Sequence, residues 1–250
     1  MRNLAFAVVL LVLSCSSVGS LIAAESNHSL HWGVEVGDEV VLVLQRKVMD
    51  PSFVQYLVGY APFITNVSEG QRVIARVTSL SPIPSLINGS DQIPQSNCTL
   101  IRENDSVVVG EDFSMVVIPS GDWDFMTSIG NYTAIEGMTV INSQDEWGTI
   151  MEGSVTWLIF TVTFHIEMRY EKSNGTLKLL RANVDLSGND IIDIVFAKWQ
   201  PGMPTVLPAE LQGLTVTVVT LVAVLLAGVA FFVWRRHRRG LLSAETPTMP

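Results

Sequence analysis

Residues 157–186 read WLIFTVTFHIEMRYEKSNGTLKLLRANVDL, and how they pair decides the fold. Two alternating runs flank Ser173-Asn174-Gly175. A side-chain period of two is the signature of a strand with one face turned to a core. A two-residue Asn-Gly loop would set Met168 against Arg181 and Phe164 against Asp185, mixing the faces. A three-residue loop, with Gly175 left-handed, shifts the pairing by one. Met168 then meets Leu180, Ile166 meets Ala182 and Phe164 meets Val184. On the other face Glu167 meets Arg181 and His165 meets Asn183. Sorting apolar from polar selects this register and predicts an antiparallel hairpin.

The same period extends outward. Val40–Leu44 is an unbroken apolar, β-branched run, as in a strand buried on both faces. Arg72–Thr78, Asn97–Arg102, Ser106–Val109, Phe113–Ile118, Trp157–Tyr170 and Ile191–Trp199 also read as strands. Asp50 could cap a short helix that starts at Pro51 and runs to Tyr60. Ser120 could cap a second, ending at Ile129. The expected class is α+β, dominated by antiparallel sheet with one or two short helices packed on it, or alternatively an all-β sandwich.

The ends read as topology. Residues 1–24 carry Arg2, an apolar run from Leu4 to Leu13 and the small residues Ala23-Ala24, a secretory signal peptide. Residues 25–199 are the expected extracellular domain, and 200–213 a stalk containing Pro201, Pro204 and Pro208. Residues 214–234 form 21 positions without a charge. At about 1.5 Å each they reach about 32 Å, enough for a bilayer core. The tail 235–250 opens with Arg235-Arg236-His237-Arg238-Arg239. Arg235, Arg236, Arg238 and Arg239 orient the span with that end in the cytoplasm. The expected protein is a single-pass cell-membrane protein with its N-terminal domain outside. Its partners are the membrane and a protein or glycan on the cell surface. Leu207-Pro208-Ala209-Glu210-Leu211 lacks the Thr-Gly of a sortase signal, so the span is expected to be retained.

The net charge of −9 divides accordingly. Residues 25–210 hold 10 basic and 23 acidic side chains, a net of −13, and the tail is basic. An acidic exterior excludes nucleic acid as a partner. Asn-x-Ser/Thr sequons stand at Asn27, Asn66, Asn88, Asn97, Asn104, Asn131 and Asn174. These are seven of the ten Asn in residues 25–210, where chance predicts about one or two, so an exported glycoprotein is expected. Cys98, inside one sequon, is the one cysteine left after signal removal; it reads as a buried free thiol, or else as an intermolecular bridge.

No nucleophile elbow, zinc signature, phosphate loop or dinucleotide fingerprint occurs, so no catalytic, metal or cofactor residues are expected. His28 and His31 read as part of a disordered terminus, and His165 as solvated. Carboxylates gather at Asp122 and Asp124, at Asp145-Glu146, and at Asp185, Asp190 and Asp193. A calcium site lacks the usual spacing. Asp122, Asp124, Asp145 and Glu146 would be the residues of a surface hydrolase if they converged. Trp123 and Trp147 beside these acids would mark either a glycan-binding surface or core packing.

Several segments resemble archaeal choice-of-anchor surface proteins, especially those of Asgard lineages. They are Trp32-Gly33-Val34-Glu35-Val36-Gly37-Asp38 with Gln45-Arg46-Lys47, and Pro119-Ser120-Gly121-Asp122-Trp123. Tyr170-Glu171-Lys172-Ser173-Asn174-Gly175-Thr176-Leu177 and Trp199-Gln200-Pro201-Gly202-Met203-Pro204 complete the set. The resemblance implies an exported, anchored domain and transfers no catalytic residue. The expected function is a non-enzymatic binding, adhesion or envelope module. An envelope carrier enclosing a lipid or other apolar ligand in a curved sheet is the alternative, and a surface hydrolase a further one.

Overall fold

The computed structural model describes residues 28–51, 63–130, 136–157 and 160–207. Nine strands form one antiparallel sheet: β1 Glu39–Met49, β2 Arg72–Leu80, β3 Ser96–Arg102, β4 Val108–Phe113, β5 Met138–Asn142, β6 Glu146–Trp157, β7 Phe160–Glu171, β8 Leu177–Leu186 and β9 Asn189–Lys198. Their order is β4-β3-β2-β1-β9-β8-β7-β6-β5. The chain thus makes two meanders, β1–β4 and β5–β9, zipped together where its first strand pairs with its last. The sheet-dominated fold is as expected, but as a single sheet, not the two packed sheets of a sandwich. Among the described residues, two short α-helices, α1 Phe63–Asn66 and α2 Trp123–Ile129, and a 3-10 turn at Ser90–Gln92 accompany it.

The hairpin register is the one that sorted the faces: Met168↔Leu180, Glu167↔Arg181, Ile166↔Ala182, His165↔Asn183 and Phe164↔Val184. Gly175 is left-handed at φ 72°. The loop itself departs from three residues. The Glu171 N–H donates to the Thr176 carbonyl and the Gly175 N–H to the Glu171 carbonyl, so Lys172–Gly175 form a four-residue turn. A register shift beside Lys178 then restores the pairing beyond it.

β9 lies in the middle of the sheet, and Ile191–Ala197 are buried without interruption. On one face Leu42, Leu44, Val73, Leu100, Leu177 and Phe196 are buried completely. Phe125, Met126 and Ile129 of α2 join this core. Val43 of β1 is also fully buried, as expected for a run with no polar face. The cap of α2 is Asp122, not Ser120: its Oδ1 accepts from the Phe125 N–H at 3.0 Å and its Oδ2 from the Ser29 N–H at 3.1 Å. Ser120 is held instead by an antiparallel bridge to His31.

Three strand expectations need correction. Trp157–Tyr170 is not one strand: Trp157 ends β6, Phe160 begins β7, and the two pair with each other. Phe113–Ile118 is not a strand either; Phe113 ends β4, and Val117 makes an isolated bridge to Thr176. Ser106–Val109 catches only the start of β4. β5 is not among the expected strands, nor is most of β6, where Gly148 and Gly153 interrupt the pattern. Gly148 is required there: a Cβ would lie 2.1 Å from the Met168 carbonyl oxygen of the paired strand.

The compact unit runs on to Leu207. Beyond β9 the Trp199 N–H bonds the Val41 carbonyl, Gln45 Nε2 donates to the Pro204 carbonyl at 2.5 Å, and the Leu207 N–H donates to the Gln45 carbonyl. The first eight residues of the expected stalk therefore lie along β1. No helix of the described residues is long and apolar enough to cross a membrane. The signal peptide, the helix expected through Tyr60 beyond Pro51, Asn27, Asn131, the span 214–234 and Arg235, Arg236, Arg238 and Arg239 lie outside the described residues.

Candidate functional site

The second sheet face of β6–β9 and β1 carries charge. Pairing places Glu152, His165, Asn183 and Asp193 in one row, and Glu167, Arg181, Val195 and Arg46 in the next. Cross-strand neighbours on one face are about 4.5–5.5 Å apart, so opposite charges in these rows meet. Arg46 Nε stands 2.5 Å from Asp193 Oδ2, with both side chains over nine-tenths buried. Arg169 Nε donates to Glu167 Oε1 at 2.5 Å and Arg169 Nη1 to Glu146 Oε2 at 3.2 Å. Lys178 Nζ also donates to Glu146, and Lys198 Nζ donates to Glu171 Oε2 at 2.6 Å.

His165 lies between two carboxylates. Its Nδ1 is 2.7 Å from Glu152 Oε1, and its Nε2 is 3.5 Å from Glu167 Oε2. The imidazole is half-buried and paired with a carboxylate while still reaching solvent, and Glu167 is buried. The ladder shifts the groups it holds. The Lys178 hydrogen bond, working against burial, keeps the Glu146 carboxyl below its usual pKa. Burial opposes the Arg169 charge, yet Glu167 and Glu146 outweigh it and raise the guanidinium above its ordinary value.

An open cleft of about 380 Å³ lies on this face. Glu152, Ser154, Thr163, His165 and Asn183 line it, over a floor at Gly153 and Phe164. Carboxylate, imidazole, carboxamide and two hydroxyls offer donors and acceptors to a small polar group. An apolar cargo needs the opposite lining. The hairpin register already places Phe164, His165 and Asn183; Glu152, Ser154 and Thr163 are ordinary strand residues until β6 pairs with β7.

The four acidic residues considered for hydrolysis do not act together. Asp122 caps α2, Asp124 accepts from Asn142 Nδ2 at 3.3 Å, the Asp145 carbonyl takes the Lys172 N–H, and Glu146 belongs to the ladder. Asp185 closes the β8–β9 turn through the Gly188 N–H, and Asp190 accepts from Asn183 Nδ2. No group of three metal-ligating side chains occurs among the described residues. Trp147 is core: its ring stacks on Trp123 at 5.7 Å, and its Nε1–H donates to Thr127 Oγ1. The expectation of a disordered terminus at His28 and His31 is overturned. The His28 ring packs on Phe125 at 4.9 Å, and the His31 backbone is bridged to Ser120.

Cys98 is fully buried and free. Burial, only partly offset by the Ser96 hydrogen bond, pushes its thiol up to about 11. Of the sequon asparagines described, Asn66, Asn88 and Asn104 are exposed, and Asn97 and Asn174 half-buried; none joins the core. No protein family, no curated protein and no solved structure matches this chain.

Proposed function

We propose that this chain is a membrane-anchored, N-glycosylated cell-surface protein of the choice-of-anchor kind. Its sheet domain serves as a non-enzymatic binding, adhesion or envelope module. The observation that carries the reading is the placement of the five described sequon asparagines. Each stands outside the core, although the sheet buries residues from nearly every strand. An oligosaccharide can be carried only where the asparagine reaches solvent, and none of the five is in the core. The signal-peptide pattern and the apolar run 214–234 with its basic flank give the route and the anchor. The polar cleft over β6–β8 supports a polar surface ligand over a lipid cargo.

The test combines two measurements on the full chain in its native membranes. Alkaline carbonate extraction should leave it in the pellet. Glycopeptide mass spectrometry should find glycan on Asn66, Asn88 and Asn104. Release into the supernatant with those asparagines unmodified would overturn the proposal.

A further inference from the structure

The sheet ends in two very different edges. β4 is blunted. Its register to β3 breaks twice, and Asp112 sits left-handed at φ 52° beside Glu111. Bulges, charge and proline are among the usual protections of an exposed edge. β5, Met138-Thr139-Val140-Ile141-Asn142, has none of them. It pairs with β6 over all five residues without a shift, and it carries no charge and no proline. Among the described residues nothing pairs its outer side.

The hydrogen bonds to β6 show which groups face out. The Glu152 N–H bonds the Gly137 carbonyl, and the Ser143 N–H bonds the Glu146 carbonyl. Bonded pairs alternate along an antiparallel ladder, so Gly137, Thr139, Ile141 and Ser143 turn their polar backbone toward β6. Met138, Val140 and Asn142 turn theirs away. The outer edge therefore presents N–H and C=O groups at every second residue, the template for one more antiparallel strand.

We propose that this edge pairs with β5 of a second copy of the chain, about a two-fold axis at Val140. That register sets Val140 against Val140 and Met138 against Asn142, all with outward backbone groups, and closes about six hydrogen bonds. It uses the whole strand; any slip that keeps the bonding shortens the overlap by two residues. It also solves the charge problem of an acidic domain meeting itself. Glu136 falls opposite Gln144 and Gly137 opposite Ser143, so no acid meets an acid. An interface between identical strands is isologous and closes on itself, making a dimer with one continuous sheet.

Full-length chains carrying Thr139→Cys and Ile141→Cys are co-expressed and oxidised in their own membranes. These positions lie opposite each other across the two-fold as a non-hydrogen-bonded pair, where the backbones are closest. Cys98 is buried and does not compete. The expected result is a disulfide-linked dimer from the co-expressed pair, with little from either variant alone. Val140→Pro removes an outward N–H without touching β6, and should lower the linked fraction roughly tenfold or more. Met138→Pro, at the first residue of the strand, should do the same. Unreactive Cys98 shows that the β1–β4 half of each proline variant is folded, and unchanged tryptophan fluorescence, to which Trp147 opposite Asn142 contributes, shows that β5 stays paired to β6. Absence of the link in the co-expressed pair would overturn the proposal, as would a link undiminished in the folded proline variants. Pairing through the span alone would give one of those two outcomes.

Discussion

Asp193→Ala is the sharpest test of how the charged face is held. Asp193 sits in the central strand, and its carboxylate is 2.5 Å from Arg46 Nε. The two side chains are 3% and 9% exposed, so water screens neither charge. Removing one partner of such a pair takes the 2.5 Å carboxylate from a buried guanidinium, a loss of about 3–5 kcal/mol. A domain is ordinarily stable by only about 5–15 kcal/mol, so the variant should lose a large part of its margin. Glu39 and Arg76 provide the internal contrast. They lie 2.7 Å apart, but at 42% and 52% exposure. Glu39→Ala should cost at most about 1 kcal/mol, because surface pairs gain little over solvated charges. The double change Arg46→Met with Asp193→Leu should cost far less than the sum of its parts, since it removes both charges and keeps the volume. Urea unfolding of the full-length chain, followed by tryptophan fluorescence, measures all of these. If Asp193→Ala costs no more than Glu39→Ala, the buried-pair account is wrong.

Three other outcomes follow from single positions. Cys98, with its pKa near 11, holds about one thiolate per thousand at pH 8. Native protein should therefore resist maleimide until urea unfolds it, and rapid labelling of the native state would refute its burial. Gly175→Ala should destabilise by about 2 kcal/mol or more. Left-handed backbone is costly for an L side chain, and a Cβ would lie 2.0 Å from the Ile118 carbonyl oxygen; an unchanged unfolding midpoint would contradict that crowding. Glu146→Gln tests the ladder through pH. A lowered carboxyl pKa means that the unfolded chain binds the proton first, so this stability is present at neutral pH and is lost on acidification. Below about pH 5 the stability advantage of the wild type over Glu146→Gln should shrink, and an advantage independent of pH down to acid unfolding would refute it.

The hairpin was legible because one constraint governs it. Side chains alternate strictly along a strand, and this register sets Phe164, Ile166 and Met168 opposite Val184, Ala182 and Leu180, where a shift by one would set them opposite Asp185, Asn183 and Arg181. The four-residue turn was not legible, because a bulge beside Lys178 conceals its extra residue. β6 escapes a local reading for a different reason. Gly148 and Gly153 look like breakers in isolation, but across the sheet they meet the Met168 carbonyl and the Phe164 ring. The signal that could have found β6 was its length: twelve residues facing the twelve of β7.

The candidate site was less legible still. Strand alternation puts His165, Glu167 and Arg181 on a polar face, and of the three only His165 reads as solvated. Alternation determines which side a residue faces, not what lies over that side. β9 shows the difference: its neighbours bury Asp193 along with Ile192 and Ile194. The sequence by itself determined the sheet class, the hairpin register and the buried character of β1, because these follow from side-chain period and turn chemistry, which are local. Only the tertiary structure decided that the first strand pairs with the last, that Arg46 meets Asp193, and that residues 200–207 lie along β1. Those contacts join positions more than a hundred residues apart, and no local periodicity encodes which distant strand will supply the partner.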